Sequence, residues 1–168
     1  GLSVTPLQTL TLYNAVANDG VMVKPIFVSE IKEWNKTIKK YNTEVINPKI
    51  CSQETLDKVQ AVLENVVKKG TGSKLYSKDF SMAGKTGTAQ VNYKDKSTLY
   101  YASSFVGYFP ADEPKYSCIV VVHKPNVAAG YYGADVAGPV FKRIAQKIFT
   151  DSPSRNHVKN IDAKVVSQ

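Results

Sequence analysis

Residues 83–90 read AGKTGTAQ, which sets a cation, two hydroxyls and two glycines within one short run. Two chemistries call for such residues. The first is phosphate binding, where GxxxxGK[ST] joins a strand to a helix and backbone N–H groups cradle the anion. Counting back from Gly84, the first glycine should stand at position 79, and that residue is Asp79. A carboxylate there would face the phosphates. The residues that follow, Thr86 to Val91, have β character rather than the look of a helix start, so no helix dipole awaits the anion. That reading is rejected. The second is a strand that grips a peptide carboxylate. Lys85 offers a cation and proton donor, Thr86 and Thr88 offer hydroxyls, and Gly87 lets a ligand backbone approach. Such a strand suits a peptide held along a sheet edge by main-chain bonds.

The elements that must hold this run follow from spacing. Thr5-Pro6 opens a helix, since threonine caps and proline is tolerated where no backbone bond is needed. Leu7, Leu10, Leu12, Val16 and Ala17 give it an apolar face, and Asn18-Asp19-Gly20 ends it. Val21 to Ile31 is β-rich, with Pro25 confining it to an edge or a bend. Lys32 to Pro48 is polar and irregular, a hairpin tip or excursion. Ser52 caps a second helix with Leu56, Val59, Leu63 and Val66 at helical spacing, closed by Gly70. After a loop from Thr71 to Ser81 come three strands: Lys85 to Val91, Leu99 to Phe109 and Lys115 to His123. Cys118 to Val122 is apolar on both faces, which predicts a strand buried on both sides. A last helix is predicted from Ala134 to Phe149, with Val140, Phe141, Ile144, Ala145 and Ile148 on its apolar face. Short connections between the strands favour an antiparallel sheet with packed helices, hence an α+β fold. Beyond Asp151 the pattern fades into a tail or linker.

Composition narrows the function classes. The 168 residues are 43% hydrophobic, enough for a real core, and the chain fits one domain or a piece of a larger one. No apolar run approaches the ~20 residues that span a bilayer. The net charge of +8 invites a nucleic-acid reading, but the basic residues are scattered, and all except Arg143 and Arg155 are lysines. Base readout favours arginine and interleaved aromatics, so a solvated lysine surface is the better account and no nucleic-acid partner is expected. Cys51 and Cys118 lie far apart with no neighbouring histidine, so neither metal nor cofactor is expected. Cys118, inside an apolar run, reads as a buried free thiol.

The run KTG is one of three motifs shared by serine β-lactamases and penicillin-binding proteins, beside SxxK and SDN. Its surroundings carry the resemblance further. GLSVTPLQTLTLYNAVANDGVMVKP resembles the block between the second and third motifs of class B penicillin-binding proteins, and GKTGTAQ resembles their third motif in full. SSFVGYFPADEPKYSCIVVVHKP is similar to the strand pair that follows, and YYGADVAGPVF to the start of their C-terminal helix. The tyrosine-glycine run is more like the division type than the elongation type. On this reading residues 1–150 are the C-terminal portion of a transpeptidase domain of the penicillin-binding-protein and serine β-lactamase-like class, and 151–168 a tail or linker. The chain is read as lacking SxxK and the true SxN, because Ser154-Arg155-Asn156 follows KTG and is accidental. Both motifs are expected upstream of Gly1.

The resemblance implies a serine D,D-transpeptidase that cross-links peptidoglycan in cell-wall, cell-shape and division processes, inactive as this fragment alone. Lys85 and Thr88 are the catalytic candidates: Lys85 shapes the electrostatics and orients the serine of SxN, and the Thr88 N–H forms half the oxyanion hole. Thr86, Gly87 and Thr88 are the substrate-binding candidates, with both hydroxyls on the terminal carboxylate. Implied partners are the stem peptide, glycan strands derived from lipid-linked precursors, β-lactam antibiotics and division proteins of the membrane. The implied location is outside the cytoplasmic membrane, behind an upstream transmembrane anchor. Around the motif, Gln90, Tyr93, Tyr131, Tyr132 and Gly133 could border the cleft or merely build its hairpin and loop. Tyr101, Phe105 and Tyr108 read as core, and His123 as a satisfied or solvated histidine. The rival from another class is a transpeptidase-like module that binds peptide or protein without chemistry.

Overall fold

The computed structural model describes residues 4–92, 94 and 97–151. Helix α1, Pro6–Ala17, begins with a reciprocal cap. Gln8 N–H donates to Thr5 Oγ1 at 3.2 Å, and Thr5 N–H donates to Gln8 Oε1 at 2.8 Å. Helix α2, Gln53–Lys68, is capped by Ser52, whose Oγ accepts from Thr55 N–H. Both caps are local chemistry and stand where the spacing put them.

Three strands make the main sheet: β5, Ala83–Val91; β6, Tyr100–Phe109; and β7, Tyr116–His123. They run antiparallel in the order β5-β6-β7, with Ala83 opposite Tyr108 and Thr88 opposite Ser103. The earlier strands are short: β1, Met22–Val23, pairs with β4, Val45–Asn47, and β2, Glu30–Glu33, pairs with β3, Lys36–Lys40. The β-rich stretch expected from Val21 to Ile31 is therefore broken in two, because Pro25 cannot donate to a ladder. The polar excursion after it is a β2–β3 ribbon with every residue exposed.

Alternation along the strands separates two cores. Phe105 and Phe109 face α4, Gly138–Asp151, where the Phe141 ring sits 4.8 Å and 5.6 Å from theirs. Tyr108 and Ala83 point the other way, onto Val16, Leu56 and Leu63. Helix α2 sends Leu56 and Leu63 to one cluster and Val67 to the other, so it passes between faces beside the start of β5. Burial and the nearby charge of Glu64 push the Tyr108 phenol up to about 12.

Four expectations are corrected by the structure. β7 is not buried on both sides; it is a half-exposed edge, and β6 is the central, buried strand. The small residues Ala102, Ser103, Ser104 and Gly107 hid that role, because burial there comes from position rather than hydropathy. The last helix is two, α3, Gly133–Val136, and α4, since Pro139 lacks an N–H and constrains the residue before it. On α4 the core takes Phe141 and Ala145, while Val140 and Ile144 are exposed; on α1 Leu7 and Leu12 are exposed as well. Cys51 and Cys118 are free and half-buried, and burial raises the Cys118 thiol above its ordinary value. Residues 152–168, including Ser154-Arg155-Asn156, lie outside the described residues. No helix among the described residues is long and apolar enough to cross a membrane.

Phe141 is fully buried between Phe105 and Phe109. In the full-length protein, Phe141→Ala should cost about 3–5 kcal/mol by urea denaturation. A loss below about 1 kcal/mol would show that this core does not hold the sheet to α4.

Candidate active site

The motif lies on β5, which has β6 on one side and no strand on the other among the described residues. An edge strand leaves backbone donors and acceptors unpaired, a ready template for an extended peptide. Strand alternation sends Lys85 and Gly87 to one face and Thr86 and Thr88 to the other. The Lys85 stem nevertheless bends along the edge. Its Nζ donates to the Thr86 carbonyl at 3.0 Å and to Thr86 Oγ1 at 3.3 Å. Thr86 Oγ1 also lies 3.1 Å from Thr71 Oγ1, and either oxygen can be the donor. Lys85 and Thr86 are thus brought together, with Thr71 as a third member.

Thr88 is held separately. Gly133 N–H donates to Thr88 Oγ1 at 3.1 Å. An amide can only donate, so the hydroxyl accepts here and its own proton is left for another partner. This contact needs a glycine. A Cβ on Gly133 would stand 2.3 Å from the Ser104 carbonyl oxygen and 2.5 Å from that of Gly87. On the other face of β5, the Ser104 hydroxyl lies where a Gly87 side chain would be, at 2.5 Å from a built Cβ.

The segment before α3 is fastened over this end of the sheet. Ser103 Oγ donates to the Tyr131 carbonyl, and the Tyr131 ring stacks on Tyr101 at 4.2 Å and on Tyr132 at 4.4 Å. The hydrogen bond from Tyr131 to the Tyr132 hydroxyl, with smaller contributions from charge and burial, pushes the Tyr131 phenol up to about 12. Gln90 Nε2 donates to the Tyr101 hydroxyl at 3.4 Å. So Tyr131 and Tyr132 border the motif and also fix the loop, while His123 is exposed at the end of β7. Tyr93 lies outside the described residues. Thr71 and Ser104 are what spacing missed, the glycine pair around Thr71 being a signal for the first; Gly133, read as either a border or a loop residue, reaches Thr88 through its N–H.

A second serine motif needs correction. By letters alone, Ser29-Glu30-Ile31-Lys32 fits SxxK, so the chain does contain that spelling. Ser29 is an exposed residue just before β2, and Lys32 lies within that strand. Lys32 Nζ is engaged with Glu30 at 2.7 Å, not with Ser29. The match carries no nucleophile geometry.

This edge, with an ammonium beside one hydroxyl and a second hydroxyl pinned from behind, meets a matching family. The penicillin binding protein transpeptidase domain matches residues 1–146. The chain belongs to that family. It is 32% identical to stage V sporulation protein D of Bacillus subtilis, across 95% of this chain and 25% of the relative. It is 32% identical to the peptidoglycan D,D-transpeptidase FtsI of Buchnera aphidicola, across 88% of this chain and 25% of the relative. Among solved structures, the D,D-transpeptidase domain of a peptidoglycan glycosyltransferase from Eggerthella lenta aligns with a TM-score of 0.69 at 26% identity, covering 88% of this chain and 33% of that one. The chain spans about a quarter of the length of the curated relatives it matches. The α+β fold is that of the family's transpeptidase domain. Among the described residues, no group of three or more His, Cys, Asp or Glu could hold a metal ion.

Because a Cβ at Gly133 meets backbone rather than a yielding side chain, Gly133→Ala should destabilise the full-length protein by about 1–3 kcal/mol. Thermal unfolding reads this. An unchanged melting temperature would mean that the loop does not sit this close to β5.

Proposed function

We propose that this chain supplies the carboxylate-binding edge and half the oxyanion hole of a serine D,D-transpeptidase acting on peptidoglycan stem peptides. The single observation that carries it is the β5 edge: an ammonium and two hydroxyls on a strand that has no partner strand on one side among the described residues. In this reading a serine outside the segment attacks the carbonyl carbon of the D-Ala-D-Ala bond. The C–N bond breaks, the terminal D-Ala leaves with the serine proton, and an acyl-enzyme remains. The amine of a neighbouring stem then attacks the ester, passes a proton back to the serine oxygen, and forms the cross-link.

Each residue has a place in that sequence. The Thr88 hydroxyl, already accepting from Gly133 N–H, donates its free proton to the terminal carboxylate. The Thr86 hydroxyl does the same beside the Lys85 ammonium, which offsets charge that develops during acylation. The Thr88 N–H serves as one oxyanion donor, and Gly87 keeps the ladder free of bulk at the reacting bond. A β-lactam would enter the same grip through its carboxylate. Likeness to the relative named FtsI, with the run Tyr131-Tyr132-Gly133, supports a septal role. That role brings membrane-bound division proteins as partners and a site outside the cytoplasmic membrane. Residues 1–150 form the C-terminal portion of the transpeptidase domain in this account, and 151–168 a tail or linker.

The test is acylation of the full-length protein by a fluorescent penicillin. Lys85→Ala should slow it by about 10²-fold or more, the scale of losing one preorganised electrostatic donor. A rate within a factor of about two of the parent would remove Lys85 from the reaction.

A further inference from the structure

Helix α2 ends in a tight turn. Gly70 N–H reaches the carbonyls of Asn65 and Val66, and Gly72 N–H returns to Val66 at 3.0 Å. Both neighbours of Thr71 are pressed onto that last turn: a Cβ on Gly70 would lie 2.9 Å from Val66 Cα, and one on Gly72 would lie 3.2 Å from the Val66 carbonyl oxygen. The turn therefore runs flush with the helix end, and the one side chain it carries between its glycines is Thr71. That side chain is exposed, yet its hydroxyl is delivered to Thr86 Oγ1 at 3.1 Å across 15 positions of sequence.

The downstream side of the turn is anchored too. Leu75 is buried in the core that holds Phe105 and Phe141, and Lys74 Nζ pairs with Asp135 of α3 at 2.6 Å. Helix α3 is the element whose first residue, Gly133, holds Thr88. The supports of the two threonines are thereby linked to each other.

We propose that Thr71 is a positioning residue for the reaction: its hydroxyl orients that of Thr86 and, through it, the Lys85 ammonium at the open edge of β5. The inference rests on the transpeptidase reading given above. An ammonium can only donate, so Thr86 Oγ1 accepts from Lys85. When a carboxylate occupies the edge, the Thr86 proton goes to it, and Thr71 becomes the donor that fills the remaining lone pair. A bond between an exposed hydroxyl and a half-buried one adds little to stability. Its position, delivered by a turn built around two glycines, is what points to function.

The experiment measures the second-order rate of acylation by benzylpenicillin in the full-length protein, with melting temperature alongside. Thr71→Val keeps the shape and should slow acylation about tenfold, the loss expected of one hydrogen bond in a charged network. Thr71→Ser should restore the rate to within a factor of about two. In a Thr86→Val background, Thr71→Val should have no further effect, because the residue it acts through is already disabled. Three results would overturn the proposal: a parental rate in Thr71→Val, an equal loss in Thr71→Ser, or losses that multiply in the double variant. A parent protein that takes no penicillin at all would instead bring down the transpeptidase reading, and this inference with it.

Discussion

The register of β5 on β6 is the constraint on which everything else depends. With Ala83 opposite Tyr108 and Thr88 opposite Ser103, Lys85 and Gly87 share one face while Thr86 and Thr88 share the other. A slip of one residue would exchange those faces along the whole strand. The register is defended from both sides, by Tyr108 in the core beneath α1 and by Phe105 against Phe141 of α4. Burial of Phe105, the direct partner of Thr86, and of Tyr108, opposite Ala83, thus decides where an ammonium and two hydroxyls emerge on β5.

Around that strand the chain builds supports rather than more chemistry. The turn after α2 reaches Thr86, and the first residue of α3 reaches Thr88. The Lys74–Asp135 pair joins the two supports. It is exposed and contributes little to stability by itself. Its value lies in relating two elements that both act on β5. The aromatic stack of Tyr101, Tyr131 and Tyr132 and the Ser103 contact keep the preceding loop in place. Polar groups at this edge are consequently oriented before any ligand arrives, which lowers the cost of binding one.

What could be read in the sequence was what local chemistry decides. Thr5 and Ser52 cap helices through bonds to residues three positions away, and KTGT announces a strand with donors on both faces. The central place of β6 was hidden because Ser103 and Gly107 are buried by their neighbours, not by their own hydropathy. The apolar β7 looked central for the opposite reason. Pro139 was visible all along, yet the helical period ran through it and concealed the break between α3 and α4. The ties from Thr71 to Thr86 and from Gly133 to Thr88 join residues 15 and 45 positions apart, so only tertiary packing could disclose them. The spelling SEIK shows the converse. A motif read by letters has no chemistry where its lysine is already paired with a neighbouring carboxylate, as Lys32 is with Glu30.

The central claim is that β5 offers both a hydroxyl and a backbone donor at Thr88, with different duties. The most direct measurement compares penicillin acylation rates for Thr88→Ala and Thr88→Pro in the full-length protein, with circular dichroism to verify the fold. The alanine variant keeps the N–H and should lose mainly carboxylate recognition, leaving a slower but measurable reaction. The proline variant removes the donor and should abolish acylation almost entirely. Equal rates for the two variants, with folds intact, would contradict the account.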